Sequence, residues 1–122
     1  MKLLISMMPT ILLVVYGQLV TKWRVAAMVS SVTEDSGRLS RVIAYLGDAY
    51  ILSAYAAALA GSVAWMFVVE RYAISVAFPL YIGLTVLLVV VGGIVIFGEQ
   101  MTVSRAIAII FILIGVAIGT RS

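Results

Sequence analysis

The chain contains no cysteine and no histidine. The first absence excludes disulfides and thiolate metal sites. The second removes the commonest general base and a leading metal ligand, so a Ser-His nucleophile pair cannot be assembled. Charge is scarce too: Asp, Glu, Lys and Arg supply 11% of the 122 residues, against roughly 25% in an ordinary soluble domain. What fills the sequence instead is apolar, with 65% hydrophobic types and a mean hydropathy of +1.25. A soluble domain of this length buries only about two-thirds of its surface and could not hide that much. The composition specifies an all-α integral membrane protein. No catalytic constellation, metal site or cofactor is expected, which makes an enzyme the least expected class. The net charge of +3 suits membrane topology better than nucleic acid.

The few charges divide the chain. Four transmembrane helices are expected over residues 3–21, 43–69, 72–98 and 103–120, forming a single domain, with a polar loop over 22–41. After Lys2 the first apolar run reaches Thr21 with no A-x-A-like site following it, which reads as a retained span rather than a signal peptide. Within the loop, the stretch Trp23 to Val32 could form a short interfacial helix. The 27 uncharged residues between Arg71 and Glu99 would make about 40 Å of helix, more than the roughly 30 Å of hydrocarbon. The last uncharged stretch, 106–120, makes only about 22 Å. Either Arg105 and Arg121 snorkel or that helix begins near Thr102, with Thr102 or Ser104 available as its N-cap. Four spans put both termini on one side with Lys2, Arg71 and Arg121. Lys22, Arg24, Arg38, Arg41 and Arg105 lie on the other. The excess favours a cytoplasmic loop, by a margin small enough for either orientation.

Polar groups at membrane depth need partners that lipid cannot supply. Gln18 lies inside the first span, and Lys22 follows at i+4 on the same face. Each has an ordinary role, as interhelical hydrogen bond and interfacial anchor, and a functional one, as a polar pocket with a fixed cation for a phosphate or other anion. Asp48 is expected one to two turns inside the second span, where it could pair with Lys22 or snorkel to headgroups. Glu99 and Arg105 join Lys22 and Asp48 at one membrane face, as a charged rim or an ion and proton site. Trp65, Tyr81 and Thr85 are candidates for lining a cavity. Pro79, Gly92 and Gly93 are expected flexing points. Gly115 and Gly119 form a GxxxG spacing suited to close helix packing, within one bundle or across a dimer.

Several of these residues fall in an order that resembles the small multidrug resistance branch of the drug/metabolite transporter superfamily, the EamA-like proteins. The resemblance rests on Ala77-Phe78-Pro79 early in the third span, Gly92-Gly93, the terminal Phe97-Gly98-Glu99, and a last span reading FILIGVAIG. It covers most of the chain outside the loop. Drug-exporting members carry a proton-exchanging glutamate in the first helix; aligning on Gly17 and Lys22 places Val14 there. Gly17-Gln18-x-x-x-Lys22 instead resembles the flippase subunits for undecaprenyl-phosphate-linked aminoarabinose. Trp65, Ala77-Phe78-Pro79 and Glu99 match those relatives as well. That resemblance implies a subunit of the bacterial inner membrane that translocates a polyprenyl-phosphate-linked sugar or similar amphipathic anion. The working unit would be a homodimer, or a heterodimer with a paralogous four-helix subunit. Gln18, Lys22, Trp65, Tyr81, Thr85 and Arg105 would bind substrate. Two other functions are open at this point. One is a small multidrug or metabolite exporter, proton-coupled through Asp48 or Glu99. The other is a membrane scaffold for a glycosyltransferase.

Overall fold

A computed structural model describes residues 2–29 and 37–121. Among them the chain is all-helical, in five helices: α1 (Lys2–Met28), α2 (Arg38–Leu46), α3 (Ala49–Arg71), α4 (Ile74–Phe97) and α5 (Val103–Gly119). Helices α1, α3 and α4 are long and apolar enough to cross a membrane. Helix α5 is equally apolar in character but has 17 residues, about 25 Å of rise.

Two boundaries differ from the sequence expectation. Helix α1 does not stop at Thr21 but runs through Lys22 and Arg24 to Met28. Lys and Arg are good helix formers whose long stems can lead their charges to the interface, so these charges mark an edge of the apolar stretch and not the end of the helix. The expected second span over 43–69 is broken at Gly47–Asp48 into a short α2 and a long α3. Asp48 is therefore not inside a helix. It is the N-cap of α3, and its carboxylate accepts a hydrogen bond from the Ile51 amide at 3.2 Å, satisfying one of the orphan amides of the first turn. The expected interfacial stretch from Trp23 is the end of α1 as far as Met28; its residues 30–32 lie outside the described residues.

In space the order is α3, α1, α4, α5: α1 packs on both α3 and α4, and α5 packs on α4. Apolar contact alone does not hold such helices together in lipid, because lipid tails are as apolar as Leu, so close backbone approach has to contribute. Small residues permit it. A Cβ built on Gly17 would lie 3.1 Å from the Ala54 carbonyl oxygen. Two turns towards the N-terminus, the buried Thr10 hydroxyl donates across the same interface to the Gly61 carbonyl at 3.2 Å. On the other side of α1, Gly92 of α4 receives Leu19, whose Cδ1 would be 2.8 Å from an added Cβ. Gly83 receives Val116 of α5 in the same way, at 2.9 Å. At the far end, Met7, Ile11, Val68 and Ala77 form the buried apolar cluster that closes α1, α3 and α4 together.

Helix α4 is continuous across Pro79 and across Gly92–Gly93. It ends at Gly98, in the left-handed conformation with φ 66°, which glycine adopts without a Cβ penalty. The exposed GxxxG pair differs from Gly17, Gly83 and Gly92, which pack against a neighbouring helix. Nothing lies within 4 Å of a Cβ at Gly115 or Gly119.

These contrasts set a stability prediction. Gly17→Ala forces a carbon onto a backbone oxygen that cannot rotate away, and should cost about 1–3 kcal/mol as overpacking does. Gly115→Ala enters open space inside α5 and should leave the stability of the single chain unchanged or raise it by up to about 1 kcal/mol, since alanine is the better helix former. Thermal unfolding in detergent distinguishes the two; equal losses would contradict the packing described.

Candidate functional site

The far ends of α1 and α4 and the starts of α3 and α5 meet at one end of the bundle. Lys22 and Arg24 stand two residues apart on α1, hence about 200° apart around it, and they face different neighbours. Lys22 lies with Gln18, one turn earlier, in a cleft of about 220 Å³ against α4, walled by Leu19, Val89, Gly93, Phe97 and Glu99. Arg24 turns to α3.

Arg24 engages Asp48 through two parallel hydrogen bonds, Nε to Oδ2 and Nη2 to Oδ1, both 3.0 Å. The planar guanidinium suits this fork, which a lysine could not reproduce. The same guanidinium lies 5.1 Å from the ring centroids of both Trp23 and Tyr50, and those rings meet edge to face at 5.1 Å. The expected partner of Asp48, Lys22, is thus replaced by Arg24. The Arg24 hydrogen bonds hold the Asp48 carboxyl below the usual carboxylate range; partial burial opposes this, and the Ile51 amide assists it. Lys22 itself makes no ion pair or hydrogen bond among the described residues.

Glu99 folds back over the end of α4. Its amide donates to the Gly93 carbonyl at 3.3 Å, and its carboxylate lies so close over Gly93 that an added Cβ would be 3.0 Å from Oε2. From there it faces two spaces: the Lys22–Gln18 cleft, and a second cleft of about 350 Å³ between α4 and α5 whose lining includes Gln100, Met101 and Arg105. Thr102 caps α5, its hydroxyl accepting from the Arg105 amide at 3.2 Å, and the Arg105 side chain donates back to the Gln100 carbonyl at 3.1 Å. Lys22, Glu99 and Arg105 therefore do converge at one end, with Glu99 between the two cations, while Asp48 is taken up by Arg24.

Deeper in, Trp65, Phe78 and Tyr81 form a ring cluster with centroid separations of 5.0–6.3 Å. With Thr10, Val14, Gly61 and Ser62 they line an uncharged cleft of about 210 Å³. Val14 thus stands in an aromatic-lined space, as an apolar wall. Phe78 was not singled out from the sequence as a pocket residue; the i, i+3 spacing of Phe78 and Tyr81 on one helix face was the available signal. Gln18 also reaches a cleft on the α3 side with Thr21, Ala54, Tyr55 and Ala58, next to the hydrogen bond between Tyr16 and Ser53 at 2.8 Å. Thr85 lines neither the aromatic cleft nor the Lys22 cleft; its hydroxyl is buried without a hydrogen-bond partner among the described residues. No group of three or more Asp or Glu suited to a metal ion occurs among the described residues.

The Arg24–Asp48 pair carries a pH signature. Because the folded-state carboxyl titrates below its ordinary value, the stabilisation is complete above about pH 4 and is lost as pH falls through the lower, folded-state value. Wild-type protein in detergent should lose melting temperature over that acid range. Asp48→Asn should melt lower at pH 7 and lack the acid step; an unchanged acid step in the variant would contradict the assignment.

Protein-family models, curated proteins and solved structures were all compared with the chain, and none matches it.

Proposed function

We propose that this chain is a subunit of a membrane transporter that moves an amphipathic anion, of the polyprenyl-phosphate-linked sugar type, between the leaflets of a bacterial inner membrane. The observation that carries the reading is the Lys22–Gln18 cleft. It offers one cation with no ion-pair partner among the described residues, one carboxamide, the Glu99 carboxylate in its lining, and otherwise apolar walls at the end of a membrane-length helix pair. That combination suits a phosphate monoanion or dianion attached to a hydrocarbon chain: Lys22 supplies the charge, Gln18 hydrogen-bonds an ester or sugar oxygen, and Leu19, Val89 and Phe97 accept the tail. Arg105, across Glu99, offers a second cation at the same face. The uncharged aromatic cleft further in is suited to a sugar, whose hydroxyls and apolar faces match Ser62, Tyr81 and the Trp65 ring.

In this reading α5 is a fourth, shorter span, and the open face at Gly115 and Gly119 packs on a second four-helix subunit. A bundle of four helices has little room for an enclosed path of its own, and two subunits would bring the clefts together. Pro79 removes one backbone hydrogen bond from α4, and Gly92–Gly93 lower its stiffness. Bending there would let the assembly exchange which side its clefts open to, in the manner of alternating access.

One observation favours a second reading. The three rings around Trp65 would also hold an organic cation, as an exporter requires. Asp48 is poorly placed to be its proton carrier, being bonded to Arg24; Glu99 would have to serve.

The reading is tested on the full chain in reconstituted vesicles. Lys22→Ala should weaken binding of a polyprenyl-phosphate-linked sugar about tenfold to a hundredfold, as expected for losing a charge-assisted hydrogen bond of about 1.5–3 kcal/mol. Translocation should fall with it, and Lys22→Arg should retain part of it. Unchanged translocation in Lys22→Ala would refute the phosphate role. Export of small cations driven by a pH gradient and lost in Glu99→Gln would favour the exporter.

A further inference from the structure

Helix α2 is oriented in a way that a water-soluble protein would not tolerate. Its sequence, RLSRVIAYL, separates cleanly at 100° per residue. Leu39, Val42, Ile43 and Leu46 occupy one arc, while Arg38, Ser40, Arg41, Ala44 and Tyr45 occupy the other. On a soluble fold the apolar arc would face the protein. Here it points away. Leu39 is 74% exposed, Ile43 64%, Val42 49% and Leu46 42%, whereas Arg41, Ala44 and Tyr45 are the partly covered ones. The helix contributes no buried residue to the fold.

We infer that α2 lies in the headgroup–hydrocarbon boundary of the bilayer, with Leu39, Val42, Ile43 and Leu46 immersed in lipid. Three independent features identify lipid as the occupant. The chain passes from Leu46 to the start of the membrane-length α3 through only Gly47 and Asp48, so α2 cannot be far from the edge of the hydrocarbon. The Arg24–Asp48 fork fixes that junction to α1, and the Trp23–Tyr50 pair beside it has the amphipathic rings that favour the headgroup level. Arg38 on the opposite arc is exposed and charged, as an interfacial helix among anionic headgroups requires. A helix of nine residues is too short to span, about 14 Å, and too apolar on one side to stand in water. The role this gives α2 is to set the depth and tilt at which α3 enters the membrane.

Because the sequence has no cysteine, single-cysteine variants can be labelled without altering any native thiol. The full chain carrying a nitroxide at Leu39→Cys, Ser40→Cys, Val42→Cys, Ile43→Cys, Ala44→Cys or Leu46→Cys is reconstituted in vesicles of phosphatidylethanolamine and phosphatidylglycerol. Collision rates are then measured with oxygen, which concentrates in lipid, and with a water-soluble nickel chelate. The ratio of oxygen to nickel collisions should be high at 39, 42, 43 and 46 and low at 40 and 44, following the helical period. Equal nickel access at Ile43→Cys and Ser40→Cys would overturn the proposal. So would protection of Ile43→Cys from both agents that is relieved when the protein is diluted in lipid, because a second copy of the chain would then cover the arc.

Discussion

The contact on which the rest of this structure depends is the backbone approach of α1 to α3. In lipid, two apolar helices gain nothing by hiding greasy surface from each other, so they must gain from van der Waals fit and from hydrogen bonds that lipid cannot replace. Gly17 against the Ala54 carbonyl and the Thr10 hydroxyl on the Gly61 carbonyl supply one of each. With α1 fixed on α3, its opposite face is set against α4, where Gly92 takes Leu19. The cleft holding Gln18 and Lys22 follows from that seating, because those residues sit one turn apart beside the α1–α4 contact, where both stay exposed.

The same geometry sorts the cations. A two-residue separation on a helix is just over half a turn, so Lys22 and Arg24 cannot serve one neighbour. Arg24 is consumed in structure, as a bidentate partner for the carboxylate that caps α3. Lys22 is left facing a cleft lined by a carboxamide, the Glu99 carboxylate and otherwise apolar walls. Glu99, bent back over Gly93 by the left-handed turn at Gly98, stands between that cleft and Arg105. A bundle end arranged in this way combines a fixed structural ion pair with unconsumed charge, and it is the unconsumed charge that can act on a substrate.

Much of this was legible from residue order. Apolar run lengths gave the helical class and the positions of the membrane-length helices, because backbone groups in lipid must be bonded within a helix. Of the two hydroxyls able to cap α5, Thr102 and Ser104, Thr102 does so, and the meeting of Lys22, Glu99 and Arg105 at one end followed from an up-and-down path. The ends of α1 and α3 were less legible. A charge marks where the hydrocarbon stops, not where the helix does, so Lys22 did not end α1. Gly47-Asp48 pairs a helix-ending residue with a capping one, but it lies between two apolar stretches that read as a single span over 43–69. The choice between Lys22 and Arg24 for Asp48 depends on the rotation of α1 relative to α3, which is fixed by Gly17 and Thr10 and not by any local pattern. The clean two-sided character of α2 was written in its sequence, but which side faces outward is set by how Asp48 is held. The glycines divide for the same reason: an added Cβ would meet a neighbouring helix at Gly17, Gly83 and Gly92 but open space at Gly115 and Gly119, though nothing in their spacing separates them.

The central claim is that Lys22 and Gln18 form a phosphate-binding cleft for an amphipathic lipid. It is tested most directly by mass spectrometry of the lipid that co-purifies with the full chain extracted in mild detergent, comparing wild type with Lys22→Ala. The account predicts a polyprenyl-phosphate-type lipid enriched with wild type over the bulk membrane composition and lost from Lys22→Ala. Recovery of the same lipid at the same level from both proteins, or of bulk phospholipid alone from wild type, would contradict it.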